Sequence, residues 1–259
     1  MSFRANHGAP HLSQTLVLIP ARMKASRLPD KPLADIAGTP MIVHVLRRAT
    51  EAAIGRVVVA CAEPVIAEVV RAAGGEAVLT DPDLPSGTDR IRQALSEIDP
   101  ERRAQRIVNL QGDLPTLDPK VLAQVLEPLD RLGVPMATLA CATDDPREKV
   151  DPNVVKAVVS VDPAEPTIGR ALYFTRATCP SGDGPILHHI GIYAFERTAL
   201  ERFADLPPSP LERRERLEQL RALENGMAIG VRLVDTVPFG VDTPYDLDRA
   251  RQILSLARP

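Results

Sequence analysis

Short apolar runs alternate with amphipathic segments along the first 143 residues of the chain. The runs at residues 16–19, 56–61, 77–79, 106–110 and 136–141 predict strands, and the unbroken run 16–19 is typical of a strand buried on both faces. Helices are predicted from Pro40 with Thr39 as N-cap, over 64–74, over 91–98 and from 119. Because this alternation favours right-handed βαβ units, we predict an α/β fold with a mostly parallel central sheet flanked by helices.

The pattern changes at about residue 144. Residues 154–161, 171–175 and 186–195 predict strands with few helices between them, so we expect a smaller antiparallel lobe at about 144–210 within a single domain spanning 15–259. Ser209, Pro210 and Glu212 form a capping-box sequence that predicts a helix from Pro210 to Asn225. A strand near 229–233 and a final helix capped at Thr243 complete the pattern. Residues 1–14 are expected to form a loose or disordered extension.

The segment after the first predicted strand carries four cations within ten residues. Arg22, Lys24, Arg27 and Lys31 follow the carboxyl end of that strand, where open α/β sheets bind ligands. The whole chain has a net charge of −3 and a pI of about 6.0. The positive charge is therefore local, which favours a small polyanion and argues against nucleic acid or an anionic membrane as partner. A solvated basic loop is the alternative interpretation.

Two aspartates stand at positions suited to a metal ion. Asp113 follows a buried strand in NLQGDLP, where Gly112 allows close approach of the backbone, and Asp242 precedes the last predicted helix in GVDTP. Mg²⁺ is commonly held by one or two carboxylates together with substrate phosphates, so these aspartates and the basic loop predict a magnesium site. The alternative is that each is an ordinary turn or capping aspartate. GxxxxGK[ST] and GxGxxG are absent, so side chains rather than a glycine nest would hold phosphates.

Strand parity singles out the segment 188–193. Ile190 and Ile192 share one face, which we assign to the core, and His189, Gly191 and Tyr193 share the other, where the glycine leaves room for a ligand. A half-exposed strand is the alternative. Glu218 shares a face with charged neighbours on the predicted helix 210–225, which is consistent with a polyol contact or with a solvated salt-bridged surface.

Other features of the composition bear on location and partners. Cys61, Cys141 and Cys179 are odd in number and lack CxxC spacing, which fits reduced thiols of a cytoplasmic protein. No run of eighteen apolar residues exists, so no membrane-spanning segment is expected. Aromatic residues make up 3% of the chain and Trp is absent, which argues against base-stacking surfaces. We therefore expect small-molecule substrates.

Taken together, the motifs resemble those of the 3-deoxy-manno-octulosonate (Kdo) cytidylyltransferases, or CMP-Kdo synthetases, of the nucleotide-diphospho-sugar transferase superfamily. In chain order, between about residues 16 and 251, they are PARMKASRLPDKPL, SGTDR, NLQGDLP, DPNVVKAVV, HIGIYAF, PSPLERRERLEQLR and GVDTPYDL. The first motif alone marks the wider sugar-nucleotidyltransferase class. The last two are more specific to the Kdo enzymes.

The resemblance implies a fold, a reaction and a setting. The fold is Rossmann-like, with a smaller antiparallel lobe for sugar binding and dimerisation. The reaction transfers CMP from CTP to Kdo in the presence of Mg²⁺, by attack of the anomeric 2-hydroxyl on the α-phosphorus, and yields diphosphate. The enzymes act in the cytoplasm, as homodimers, in lipopolysaccharide biosynthesis. Two alternatives stay open: the same chemistry on another sugar acid such as the 8-amino analogue of Kdo, and a non-catalytic nucleotide-sugar-binding relative.

Motif positions also imply the site residues. CTP binding falls to Ala21, Arg22, Arg27, Lys31, Ser86, Gly87 and Thr88, and Kdo binding to Gln111, Arg176, His189, Tyr193, Glu218 and Gln219. Asp113 and Asp242 are the implied magnesium ligands and, with Arg22 and Lys31, the implied catalytic residues. The chain departs from the family in three places: Leu114 stands where GDEP is usual, Cys61-Ala62 replaces Thr-Asp, and the loop at 177–188 is short.

Overall fold

The computed structural model describes residues 14–24 and 27–256 of the 259-residue chain. The expectation of a loose extension at 1–14 therefore lies, except for Gln14, outside the described residues. Within the described ranges no helix is long and apolar enough to cross a membrane.

The centre of the fold is one large sheet. Its strands are β1 (Thr15–Ala21), β4 (Arg56–Cys61), β5 (Glu76–Leu79), β6 (Arg106–Asn109), β7 (Met136–Thr143), β8 (Lys156–Asp162), β9 (Glu165–Thr175), β10 (Ile186–Glu196) and β11 (Ile229–Val234). A separate two-stranded sheet pairs β2 (Asp35–Ile36) with β3 (Thr39–Pro40). In the large sheet the strand order is β5-β4-β1-β6-β10-β7-β11-β9-β8.

Parallel and antiparallel pairing divide this sheet. β5, β4, β1 and β6 are parallel to one another, and β7 is parallel to β11. β10 lies between β6 and β7 and is antiparallel to both, while β9 pairs antiparallel with β8 and β11. The α/β architecture with a mostly parallel central sheet is confirmed. The antiparallel strands predicted after residue 144 are present, and they continue the central sheet.

Helices cover both faces of the sheet. They are α1 (Met41–Glu51), α2 (Pro64–Ala72), α3 (Gly87–Ile98), α4 (Pro119–Gln124), α5 (Glu127–Leu132), α6 (Pro146–Val150), α7 (Arg197–Asp205), α8 (Pro210–Glu215), α9 (Leu220–Glu224) and α10 (Pro244–Leu256), with a 3-10 turn at Lys31–Leu33. Val17 and Ile19 pack with residues of α1, α2, α4 and α5, whereas Leu16 and Leu18 pack with residues of α3, α7 and α9. β1 is therefore buried on both faces, and each such buried side chain contributes roughly 1.5–3 kcal/mol.

The structure corrects two predicted helix boundaries. Thr39 pairs with Ile36 in the small sheet and Pro40 is the N-cap residue of α1, so Thr39 does not cap that helix. The single helix predicted from Pro210 to Asn225 is two helices, because Arg216 adopts the left-handed conformation (φ 56°, ψ 48°). Glu218 consequently lies between the helices and not on a continuous helical face. The break was missed because only glycine or asparagine ordinarily signals a left-handed residue.

Candidate active site

A cleft of about 540 Å³ lies past the carboxyl ends of β1 and β6. Its position agrees with the rule that open α/β sheets bind ligands outside the carboxyl ends of their strands. The predicted site residues that line it are Ala21, Arg22, Arg27, Lys31, Ser86, Gly87, Gln111, Asp113 and Asp242. The structure thus brings together most of the residues assigned to CTP and both of those assigned to magnesium.

The basic loop after β1 is anchored at both ends. The Met23 N–H donates to the Glu63 carboxylate at 3.0 Å, next to the departure at Cys61-Ala62. Further along, Leu28 is buried in a small apolar cluster that contains Val241 and Leu247 from the C-terminal part of the chain. These contacts place the loop cations against the segment that carries Asp242, 211 residues beyond Lys31.

Backbone contacts explain why the two aspartates meet. The Val241 N–H donates to the Asp113 carbonyl at 3.0 Å, so the residue before Asp242 is bonded directly to Asp113. A Cβ on Gly112 would lie 3.0 Å from the Pro20 carbonyl oxygen. The glycine therefore allows the close approach of two strand ends, and it also lines the cleft, so the predicted approach of its backbone to a ligand stays a prediction.

Lys31 binds both aspartates. Its ammonium lies 2.6 Å from Asp113 Oδ2 and 2.8 Å from Asp242 Oδ1, and Arg27 contacts Asp242 at 3.1 Å. Burial disfavours the charge of Lys31, but the two carboxylates outweigh this effect and its pKa is raised. Burial likewise opposes ionisation of Asp242, but Lys31 and Arg27 prevail and its pKa is lowered. Lys31 and Asp242 are therefore both charged at neutral pH.

The carboxylate pair suits a divalent cation. Both carboxylates reach one ammonium group, so their oxygens already converge on a single cationic centre. The described residues contain no cluster of three or more His, Cys, Asp or Glu side chains able to hold a metal. Leu114, which replaces the family's usual glutamate, is buried in the apolar core. The protein would thus supply two carboxylates and leave the other positions to substrate oxygens and water, the arrangement that Mg²⁺ favours.

The SGT loop leads into α3. Ser86 caps this helix by accepting the Asp89 N–H at 3.0 Å, and Ser86 and Gly87 face the cleft. Thr88 is buried and donates to Glu218 Oε2 at 2.7 Å, so its hydroxyl is directed to the segment between α8 and α9. Burial raises the pKa of Glu218, and the hydrogen bond from Thr88 offsets only part of this effect.

The β10 residues follow the predicted parity. Ile190 and Ile192 lie in one core cluster, and Tyr193 packs against the other. The His189 and Tyr193 rings are 5.6 Å apart, and His189 Nε2 lies 3.0 Å from Thr138 Oγ1. Burial lowers the pKa of His189 to about 3, so its imidazole is neutral at physiological pH. A Cβ added to Gly191, which lies between these two residues in the sequence, would meet no atom within 4 Å.

Two buried polar atoms lack a hydrogen-bond partner among the described residues: Gln219 Nε2 and Asn109 Oδ1. Leaving a buried polar group unpaired costs about 1–3 kcal/mol, which marks both amides as candidates for ligand contacts. Gln219 was assigned to the sugar by resemblance. Asn109 was not assigned, although it is the β6 register partner of Tyr193. The available signal was a polar amide directly after the apolar pair Ile107-Val108 of the strand.

Arg176 is placed differently from the other residues assigned to the sugar. Its guanidinium donates to three backbone carbonyls: Glu215 at 2.8 Å, Pro152 at 2.8 Å and Arg216 at 3.4 Å. Three of its five N–H groups are thus bonded to the protein.

Known proteins similar to this chain are cytidylyltransferases. The cytidylyltransferase family matches residues 16–229. A protein of Parvibaculum lavamentivorans named 3-deoxy-manno-octulosonate cytidylyltransferase is 63% identical over 240 residues, which cover 93% of this chain and 92% of that protein. A protein of the same name from Bradyrhizobium sp. is 62% identical and covers 95% of this chain and 99% of its own length.

Solved structures support the same assignment. CMP:2-keto-3-deoxy-manno-octonic acid synthetase complexed with CTP superposes with a TM-score of 0.87 at 37% identity, covering 95% of this chain and 100% of that chain. A 4-diphosphocytidyl-2C-methyl-D-erythritol synthase from Anaerococcus prevotii has a TM-score of 0.63 at 11% identity and covers 94% of this chain and 99% of its own. The latter shows only that the fold is shared.

Proposed function

Since the chain belongs to the cytidylyltransferase family, and within it to the 3-deoxy-manno-octulosonate cytidylyltransferases, we propose that it transfers CMP from CTP to Kdo and releases diphosphate. One observation supports this most strongly. The loop cations and two converging carboxylates meet in a cleft at the carboxyl edge of the sheet, in a chain whose relative of known structure binds CTP.

The cations of the loop act on the phosphates. In the proposed reaction the anomeric 2-hydroxyl of Kdo loses its proton, its oxygen bonds to the α-phosphorus, and the bond to the β-phosphate oxygen breaks. Arg22, Arg27 and Lys31 bind the triphosphate and offset the charge that accumulates on the leaving diphosphate. Ser86 and Gly87, which face the same cleft, contact the nucleotide. Asp113 and Asp242 would hold the Mg²⁺, which would supply Lewis-acid chemistry: neutralisation of phosphate charge and a lower pKa for the attacking hydroxyl.

The sugar acid binds next to Gln111, beside β10 and the α8–α9 segment. The space at Gly191 and the unpaired Gln219 amide support this location. Neutral His189 contributes a hydrogen bond rather than a charge, and Tyr193 keeps its proton because burial and the charge of Glu218 raise its pKa. Glu218 is a hydrogen-bond acceptor suited to a sugar hydroxyl.

We also propose a homodimer that works in the cytoplasm and serves lipopolysaccharide biosynthesis. Exposed apolar side chains in the antiparallel region, Leu172 at 58% and Val150 at 73%, support an interface there. The free thiols Cys61, Cys141 and Cys179 are consistent with a reducing compartment. Light scattering is expected to give twice the 28.1 kDa chain mass, and Leu172→Asp is expected to shift the protein toward one copy.

Diphosphate release tests the reaction directly. Protein, CTP, Kdo and Mg²⁺ are expected to yield diphosphate, whereas reactions without Kdo, with EDTA, or with UTP in place of CTP are expected to yield little. Release only with the 8-amino analogue of Kdo would replace the acceptor in this proposal. A folded protein that binds CTP yet turns over neither acid would be a binding protein.

A further inference from the structure

Glu215 and Arg176 each bind the backbone of the other. The Glu215 carboxylate accepts the Arg176 backbone N–H at 3.0 Å, and the Arg176 Nε–H donates to the Glu215 carbonyl at 2.8 Å. No ion pair joins their side chains in the described part of the chain. The two residues therefore lock the end of β9 to the C-terminus of α8 through paired side chain–backbone contacts.

Further hydrogen bonds join other residues to this junction of Glu215 and Arg176. Glu215 Oε1 accepts the Thr175 hydroxyl at 2.9 Å and lies 3.4 Å from the Tyr173 hydroxyl. The Arg176 guanidinium also reaches the Pro152 carbonyl, before β8. Three chain segments thus meet at one carboxylate and one guanidinium, both half-buried.

A buried lysine strengthens the same junction. Lys156 donates to the carbonyls of Asp151 at 2.6 Å, Val154 at 2.8 Å and Arg176 at 3.3 Å. The backbone of Arg176 is therefore held at its N–H by Glu215 and at its carbonyl by Lys156. Charge-assisted hydrogen bonds of this kind are stronger than neutral ones, so they hold the backbone at the end of β9 in one position.

The junction determines the direction of the chain after Glu215. Arg216, immediately after Glu215, takes the left-handed conformation, which is unfavourable for a residue other than glycine. The contact from Arg176 to its carbonyl lies at this turn. Glu218 then reaches Thr88 and Gln219 is buried with an unpaired amide. The direction of the turn at Arg216 thus places both residues assigned to the sugar.

We propose that Glu215 is a positioning residue for the sugar acid: by holding the end of β9 against α8 it sets the turn at Arg216 and so places Glu218 and Gln219. This inference rests on the proposed function. Glu215 lines neither the cleft nor the neighbouring cavity that contains Glu218, so it acts through other residues. Arg176 belongs to the same junction, through the three carbonyls that it binds.

The test compares Glu215→Ala with Glu224→Ala, which removes a matched glutamate as the control. Glu224 accepts the Leu211 N–H and the Ser209 hydroxyl within the same two-helix segment, but among the described residues it makes no hydrogen bond or ion pair to β9. Glu215→Ala is expected to raise the KM for Kdo about tenfold or more and the KM for CTP less than about threefold, because only the sugar contacts are displaced. Glu224→Ala is expected to keep the KM for Kdo near that of the unaltered protein.

Conservative variants separate positioning from simple stabilisation. Glu215→Gln keeps an acceptor for the Arg176 N–H and an amide that donates to the Thr175 oxygen, so its KM for Kdo is expected to stay within about threefold of the original. Glu215→Asp keeps the charge but is one methylene shorter, so an intermediate KM is expected. The Asp and Gln variants provide the test if the Ala variant does not fold.

Amide hydrogen exchange supplies a readout that does not depend on turnover. Glu215→Ala is expected to speed exchange at Arg176 and at residues 217–219, with Glu224→Ala unchanged there. The inference is overturned if Glu215→Ala leaves the KM for Kdo and these exchange rates unchanged, or if Glu224→Ala reproduces both effects. No turnover by the unaltered protein would instead refute the proposed reaction, while exchange would still report on the junction.

Discussion

At the scale of single residues, a few charged groups determine the electrostatics of the cleft. The side chain of Lys31 is only 16% exposed and contacts both Asp113 and Asp242. Because water is largely excluded there, each of these charge–charge interactions is stronger than it would be at the surface. The same lysine is proposed to bind phosphate. If so, a bound phosphate group would share one cationic partner with the two carboxylates, and nucleotide binding would be coupled to the proposed metal ligands.

The two aspartates are expected to be indispensable. Asp113→Ala and Asp242→Ala should each lower kcat by roughly three orders of magnitude if both hold one catalytic metal ion. Diphosphate release at saturating CTP and Kdo measures the effect. Asp118→Ala is the matched control, since Asp118 only caps α4 by accepting the Lys120 N–H. Near-normal kcat in either variant would remove that residue from the metal site.

Lys31→Ala is expected to impair nucleotide binding more than sugar binding. The variant loses the cation that we assign to the triphosphate, so the KM for CTP should rise more than the KM for Kdo. Lys149→Ala provides a lysine control, since Lys149 donates to the Gly184 carbonyl away from the cleft. An increase confined to the KM for Kdo would contradict the triphosphate assignment.

At the scale of elements, α8 and α9 are too short to be stable on their own. Helices of six and five residues are marginal in water, so tertiary contacts hold them. The capping box at Ser209 starts α8, and the Glu212–Arg221 ion pair joins the two helices across the turn. The side chains of this pair are only 12% and 11% exposed.

This ion pair makes stability depend on pH in a defined direction. Burial opposes ionisation of Glu212, but hydrogen bonds from Arg221 and from the Ser209 N–H outweigh it, so its pKa lies below the ordinary 4.5. A lowered folded-state pKa stabilises the protein above the unfolded-state pKa, and this stabilisation is lost as the pH falls through the folded-state value. Glu212 therefore stabilises the fold at neutral pH but not in strong acid.

Glu212→Gln is expected to lower the free energy of unfolding at pH 7 by about 1.5–3 kcal/mol, the range for a hydrogen bond to a charged group, since it leaves Arg221 without its charged partner in a mostly buried site. The difference from the unaltered protein should shrink below about pH 4.5. Urea unfolding at a series of pH values measures it. Glu68→Gln, at an exposed position on α2, is expected to show little change. A difference that does not vary with pH would contradict the charge argument.

At the scale of the whole molecule, the cleft joins the two ends of the described chain. Its lining comes from the loop after β1, the segment after β6, the start of α3 and Asp242, two residues before α10. The small apolar cluster beneath it also combines residues near both ends, such as Leu28 and Leu247. A ligand in the cleft would therefore stabilise contacts between distant parts of the sequence.

CTP with Mg²⁺ is accordingly expected to stabilise the whole fold. At a CTP concentration one hundred times its Kd, the free energy of unfolding should rise by about 2.7 kcal/mol. Thermal unfolding with Mg²⁺ alone, with CTP and Mg²⁺, and with UTP and Mg²⁺ measures the shift. Asp113→Ala is expected to reduce the increase. Equal Tm values with and without CTP would contradict nucleotide binding in this cleft.

Several features could be predicted from the sequence because they depend on local signals. The apolar run of β1, the Ser209 capping box and the Thr243–Asp246 cap of α10 all appear in the structure as expected. The alternation around Ile190 and Ile192 placed the faces of β10 correctly. The motifs identified the family, which the comparisons confirmed.

Other features depend on contacts between residues far apart in the chain. No local pattern shows that Lys31 lies between Asp113 and Asp242, because the contact requires the C-terminal segment to return to β6. The left-handed turn at Arg216 is held by tertiary bonds from β9 against the local preference of an arginine. The sequence by itself therefore determined most of the elements, the family and the candidate residues. Only the tertiary structure decided which of them meet, because these contacts form between segments that only folding brings together.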